Sequence, residues 1–337
     1  MELYEIVNLV KTEQYDFLRT NPHLKNHIIL LTLGGSHAYG TNVEGSDVDL
    51  RGCAVNSTED LLGLSSFETF ENKETDTVIY SLNKLIDLLI NCNPNVIEML
   101  GSKPVWVHPD GQKLIDNRKL FLSKKAIHSF GGYANAQLRR LQNAVARDRV
   151  TQPEQEKHIM NALKQSIYAF NGKYNMDNAQ IKLFLKKSSE PDKDVEVCGD
   201  INLTDFPIRQ FSSLMNDLSN VIRTYNTLNN RNKKKDFAHL NKHAMHLIRL
   251  YLMAIDIFEK EEIITYREND RDFLLSIRNG KYQNEDGTYK PEFFEFVTEL
   301  ENKMKYAMEN TNLPDKPNIK KIEELVIEIN KKHIITK

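Results

Sequence analysis

The chain has 337 residues, enough for two domains with a substantial core, and its 45 Lys and Arg nearly balance 47 Asp and Glu, giving a formal net charge of −2. Cys53, Cys92 and Cys198 are isolated and form no C-x-x-C pair, which argues against a disulfide framework or structural zinc and fits a reducing compartment. No apolar stretch approaches the roughly 18 residues of a membrane span, and no basic region followed by an apolar run opens the chain, so a cytoplasmic protein without signal peptide or anchor is expected.

From the N-terminus, Leu3, Ile6, Val7, Val10 and Phe17 have helical spacing, and Asn21-Pro22 ends that helix. The run Ile28, Ile29, Leu30, Leu31, Leu33 predicts a buried strand. It stops at Gly34-Gly35, where backbone must come close to something, and Ser36 is placed to open a short helix. A strand entering a helix through glycines leaves N–H groups unpaired, and together with the helix dipole they attract phosphate. Gly35 and Ser36 are therefore candidate nucleotide ligands, Ser36 adding a hydroxyl. His37 and Tyr39 lie in the same cradle, where they either pack the loop or touch the nucleotide.

The segment Asp47-Val48-Asp49-Leu50-Arg51 alternates polar and apolar, so a strand there carries Asp47, Asp49 and Arg51 on one face. Adjacent carboxylates repel unless a cation intervenes. Hard oxygen ligands suit Mg²⁺ or Mn²⁺, with the phosphates of ATP or another nucleoside triphosphate completing the shell. A phosphate cradle beside metal-binding acids is the chemistry of nucleotidyl transfer. Arg51 binds phosphate or pairs with an acid.

Two β-like pieces follow, Phe67 to Phe70 and Thr75 to Tyr80. Leu82, Leu85, Ile86, Leu88 and Leu89 mark a helix, and Asn93-Pro94 starts another, in which Glu98 stands three residues after Asn95 as in a capping box. Strands and helices alternate only to about residue 110, and from roughly residue 123 the pattern is helical. Within that helical part, Ser188 to Gly199 reads as a loop or exposed hairpin. Phe211 to Leu228 and Phe237 to Phe258 read as helices separated by the charged linker Asn229 to Asp236, and Lys316 to Lys337 as a terminal packing helix.

Charge is uneven. Residues 121–250 carry 21 Lys and Arg against 12 Asp and Glu, whereas residues 1–120 carry 10 against 17. The basic middle is either a surface for a polyanion or a set of solvated helix faces. Asp236, His239, His243 and His246 form a helical stripe that suits a polar seam better than a zinc site, because zinc generally draws ligands from more than one helix face.

Gly35-Ser36 followed about ten residues later by Ser46-Asp47-Val48-Asp49 resembles the signature of the DNA polymerase β-like nucleotidyltransferase superfamily. The fuller wording, Gly35-Ser36-His37-Ala38-Tyr39-Gly40 with Ser46 to Gly52, resembles its branch associated with RNA repair pathways. Further similarity lies in Asn93 to Leu100, Lys242 to Arg249 and Leu274 to Gly280, so it spans most of the chain. The resemblance implies an α/β (α+β) core with a mixed sheet over residues 1–122, followed by an all-α C-terminal domain over residues 123–337 that lines the cleft. It implies that Asp47 and Asp49 ligate metal together with a third carboxylate. Asp76 is the choice because it shares a strand face with Glu74, Val78 and Tyr80 nearest the apolar part, with Glu74 and Glu71 as rivals. Lys242, His246 and Arg249 match the family's Lys-x-x-x-His-x-x-Arg wording and are implied to close over the nucleotide or acceptor, with Arg267 and Arg278 either joining them or forming salt bridges.

The expected activity is transfer of a nucleoside monophosphate to an acceptor with release of pyrophosphate. RNA, at its 3′ end, is the acceptor expected from the family association and the basic middle. A protein side chain or small metabolite is the alternative acceptor, and a non-catalytic nucleotide- or RNA-binding protein the alternative class.

Overall fold

The computed structural model describes residues 1–147, 152–174, 180–189, 194–231, 237–285 and 287–335. They fall into two compact units, Met1–Leu138 with Asn241–Gln283 and Lys290–Lys337, and Arg139–Leu240 with Asn284–Tyr289. By sequence the second unit is an insertion in the first. The division expected between residues 122 and 123 differs, because the helices after Asn241 belong to the unit of the N-terminal sheet. Helical periodicity shows that a face is apolar, not which element covers it.

The first unit contains β1 (Ile28–Leu33), β2 (Leu50–Ala54), β3 (Thr69–Asn72), β4 (Thr77–Ser81) and β5 (Pro104–Val107). They form one mixed sheet in the order β3-β4-β2-β1-β5. Strand β1 is flanked by antiparallel β2 and β5, β2 runs parallel to β4, and β3 pairs antiparallel with β4. Its place between two strands explains the apolar run, since Ile29, Leu30, Leu31 and Leu33 are all buried. Each such side chain contributes roughly 1.5–3 kcal/mol.

The N-terminal segment is not one helix but a helix at Leu3–Leu9, a 3₁₀ turn at Glu13–Tyr15 and a helix at Phe17–Thr20. These elements set Ile6, Tyr15 and Leu18 against Leu31, Leu33, Leu50 and Ile79 of the sheet. Strand β5 and the helix Pro109–Asp116 had no sequence forecast. Strand β5 has four residues, begins at a proline and leaves Trp106 exposed, so it lacks a periodic signal. The terminal helix Ile319–Ile335 docks through Lys332 and His333, whose nitrogens lie 2.9 and 3.1 Å from the buried Asp110 carboxylate.

The second unit is helical, with helices Gln152–Tyr174 and Ile208–Arg231, plus the antiparallel hairpin of β6 (Ile181–Lys187) and β7 (Val195–Ile201). The hairpin answers to the Ser188 to Gly199 stretch but starts earlier, and it is the departure from an all-α region. Ile167, Tyr174, Ile181 and Leu214 form the unit's core. The helix expected to end at Leu228 continues to Arg231, and the remainder of the expected linker, 232–236, lies outside the described residues. Among the described residues no helix is long and apolar enough to cross a membrane.

Candidate active site

Strand β1 passes into Gly34, whose N–H donates to the Asp49 carbonyl at 2.8 Å, and then into the five-residue helix Gly35–Tyr39. Gly35 has φ +52°, and a Cβ on it would lie 1.8 Å from Asp49 Oδ2. The close approach that the glycines allow is therefore to a carboxylate, and any side chain at Gly35 would displace it. The helix ends at Gly40, φ +73°, where a Cβ would meet the Tyr266 ring at 2.8 Å. Three successive carbonyls at that end are engaged. Tyr39 O accepts from the Arg267 N–H at 3.0 Å, Gly40 O from Arg271 Nε at 2.8 Å and Thr41 O from Arg278 Nη1 at 2.9 Å. The two guanidinium donors, Arg271 and Arg278, bring positive charge that suits a helix C-terminus.

The acidic side is arranged differently from the predicted strand face. Strand β2 begins at Leu50, so Asp47 and Asp49 precede it, Asp47 exposed and Asp49 half-buried. The parallel register pairs Leu50 with Thr77, which sets Asp49 and Asp76 side by side just before two neighbouring strands. Asp76 has φ +45°, a left-handed conformation that Asp tolerates better than most residues, and its carbonyl accepts from the Leu50 N–H at 3.2 Å. Glu74, the rival, lies exposed in the turn before β4.

Asp49 is held protonated up to about 7, first by burial and then by the hydrogen bond and negative charge of Asp76, against the opposing pull of Arg51 and Lys242. Arg51 donates from Nη1 to the Asp76 carbonyl at 2.6 Å and to Leu50 O at 2.8 Å. Its Nη2 stands 3.4 Å from Asp76 Oδ1 and 3.8 Å from Asp49 Oδ1. Arg51 is thus placed to pair with the two acids.

Among the described residues, no group of three or more His, Cys, Asp or Glu side chains is arranged to hold a metal ion, so the cluster of Asp47, Asp49 and Asp76 is not assembled as a cage. The pair of Asp49 and Asp76 nonetheless fits a hard divalent cation. Mg²⁺ is commonly bound by one or two carboxylates with substrate phosphates supplying further oxygens, and a carboxyl that keeps its proton to neutral pH is one short of positive charge.

The helix Phe237–Lys260 brings the three motif residues to different places. Lys242 is exposed and its charge acts on Asp49. His246 stands edge-on to the Tyr39 ring at 6.0 Å, and burial, then Arg249, Lys242, His243 and Arg278, hold its pKa well below the ordinary histidine range. It is a neutral imidazole at pH 7. Arg249, predicted to touch nucleotide, is buried, with its guanidinium 3.6 Å over the Tyr39 ring and Nη1 2.8 Å from Glu98 Oε2. Tyr39 Oη donates to Glu98 Oε1 at 2.5 Å. Arg249 is thus a support for the Gly35–Tyr39 helix, because its buried charge is paired with Glu98 and its guanidinium is stacked on the Tyr39 ring.

Glu98 is the residue that sequence reasoning missed. The cap of its helix is Asn93, whose side chain accepts from the Asn95 N–H at 3.1 Å, while Glu98 is buried and closes no capping box. A signal was present: an acid flanked by Val96-Ile97 and Met99-Leu100 requires a buried partner. Arg267 likewise pairs with Asp256 and Asp270. Asp236 of the histidine stripe lies outside the described residues, and His243 Nδ1 is 3.0 Å from Gln137 Oε1.

A family model described as the RNA repair pathway DNA polymerase beta family matches residues 9–328, nearly the whole chain. No curated protein and no solved structure matches it.

Proposed function

The chain belongs to the RNA repair pathway DNA polymerase beta family, and on that footing we propose that it transfers a nucleoside monophosphate from a nucleoside triphosphate to the 3′-hydroxyl of an RNA. The observation that supports this reading is the Asp49 and Asp76 pair, with Asp49 packed against the Gly34-Gly35 turn and within the field of Lys242. In the reaction the acceptor oxygen forms a bond to the α-phosphorus. The bond from that phosphorus to its bridging oxygen breaks, pyrophosphate leaves with the electron pair, and the hydroxyl proton passes to water.

Asp49 and Asp76 are the residues that would hold Mg²⁺ or Mn²⁺, and the exposed Asp47 is available as a further oxygen donor. Bound there, the ion would supply Lewis acidity to the acceptor oxygen and to the departing pyrophosphate. Arg51 fixes Asp76 through its carbonyl and so orients the pair. Lys242 offers a mobile ammonium to the triphosphate, and Ser36 a hydroxyl with the N–H groups of its turn. Neutral His246 beside Tyr39 can hydrogen-bond a phosphate or base without adding charge.

The test is incubation of the full chain with each α-labelled nucleoside triphosphate, Mg²⁺ or Mn²⁺, and total RNA. Label is expected in RNA, removable by nuclease and absent with Asp49→Ala. Label in a protein band would replace RNA by a protein acceptor, and label nowhere would make the chain a non-catalytic binder.

A further inference from the structure

Within the second unit, a groove of about 620 Å³ opens between the helix Gln152–Tyr174 and β6. Buried Ile167 and Ile181 form its floor, and Lys164, Lys182 and Phe184 its walls, with Asp200 the carboxylate among its lining residues. Lys182, Phe184, Lys186 and Lys187 are exposed on β6, whereas Ile181 is buried in the unit's core. Phe184 leaves 39% of its surface in solvent. On the helix, Lys157, Asn161 and Lys164 are exposed at i, i+4 and i+7, so a polar, basic stripe runs beside the groove.

We infer that this groove binds a single-stranded segment of RNA, the phosphates along Lys157, Lys164 and Lys182 and a base stacked on Phe184. The inference rests on the RNA-acceptor reading and adds where the acceptor is gripped. Charge complementarity selects the occupant: residues 139–240 carry 17 Lys and Arg against 12 Asp and Glu, while the rest of the chain carries 28 against 35. The exposed ring selects the single strand, because a duplex keeps its bases stacked within itself, whereas unpaired bases stack on aromatic side chains beside a cationic groove. Inserted by sequence into the unit that holds Asp49 and Asp76, this region has no share in those carboxylates and is free to serve recognition.

The experiment is fluorescence anisotropy with the full chain and a 5′-labelled single-stranded RNA of about 12 nucleotides, without nucleoside triphosphate, over a series of salt concentrations. Lys164→Gln/Lys182→Gln should weaken binding at least about tenfold and flatten the log–log salt dependence by about 1.4, near 0.7 for each phosphate no longer neutralised. Phe184→Ala should weaken it about tenfold with the salt dependence unchanged, since stacking is not ionic. Lys320→Gln/Lys321→Gln, the same charge change on exposed residues of the first unit, should bind as the wild type does. Groove variants that bind like wild type overturn the groove while leaving an RNA acceptor intact. Equal loss with Lys320→Gln/Lys321→Gln, equal affinity for the duplex, or equal competition by an acidic peptide overturns it too. A wild-type chain with no affinity for single-stranded RNA removes the inference together with the acceptor reading.

Discussion

At the ends of β2 and β4, Asp49 and Asp76 press two carboxylates together with Arg51 as their near cation, and Asp49 answers by keeping a proton up to about 7. Deeper in the same unit, Glu98 receives Arg249 at 2.8 Å and the Tyr39 hydroxyl at 2.5 Å, with the guanidinium stacked on the Tyr39 ring. Both groupings set arginine against carboxylate, but Asp76 is exposed whereas Glu98 and Arg249 are buried. The first crowds two acids on one arginine and has a partly open face, while the second matches one acid to one arginine and is enclosed. A site proposed to accept a cation and phosphates leaves its acids crowded and partly open, and a site that holds a helix in place pairs each charge.

The sharpest separation of the two comes from Asp49→Asn. Nucleotidyl transfer should fall by at least about 10³-fold, while the urea midpoint at about pH 8 stays or rises, because an unfavourable buried charge has gone. A parallel loss of stability would erase the distinction. Arg249→Met should do the opposite first, costing about 3–5 kcal/mol in denaturant unfolding by stranding the Glu98 carboxylate, with activity falling as the Gly35–Tyr39 helix loosens. Glu98→Leu/Arg249→Met should cost less than Arg249→Met alone, and if it costs more, the pair contributes through something other than mutual neutralisation.

Gly35→Ala joins both sides of the comparison. It places a methyl where Asp49 Oδ2 lies and forces φ +52° on alanine, for an expected loss of about 1–2 kcal/mol in unfolding free energy and about 10²-fold in turnover. The smallest effect is on pH dependence. In the native chain Asp49 keeps its proton to about 7, whereas an unperturbed carboxyl loses it near 3.8. Between these values the native state binds more protons, so the Asp49 contribution to stability falls as pH rises. Urea midpoints of wild type and Asp49→Asn should diverge across that window, and parallel curves would remove the claim of a raised Asp49 pKa.

Much of the acidic side was legible before any coordinates. The apolar run to Leu33, the paired glycines and the Asp-x-Asp spacing are local, and the strand-face argument that preferred Asp76 leads to the residue that parallel pairing sets beside Asp49. The face argument did not foresee that β2 starts only at Leu50, leaving Asp47 in the preceding segment. The balanced side was not legible. Glu98 and Arg249 lie 151 residues apart, and helical spacing shows that Arg249 neighbours a buried face without naming the acid it meets. The unit boundary failed for the same reason: a unit made of three separated stretches leaves no mark for a reader moving along the chain.

The three arginine positions that engage the carbonyls of Tyr39, Gly40 and Thr41 have a consequence for biosynthesis. On the ribosome, Gly35 emerges early, but Arg267, Arg271 and Arg278 follow only after more than 200 further residues. At about 5–20 residues per second, the first part of the site waits for tens of seconds, during which the inserted region has time to fold as a body of its own. A polypeptide released before Arg278 would carry every acid of the motif and still lack the clasp that holds its loop.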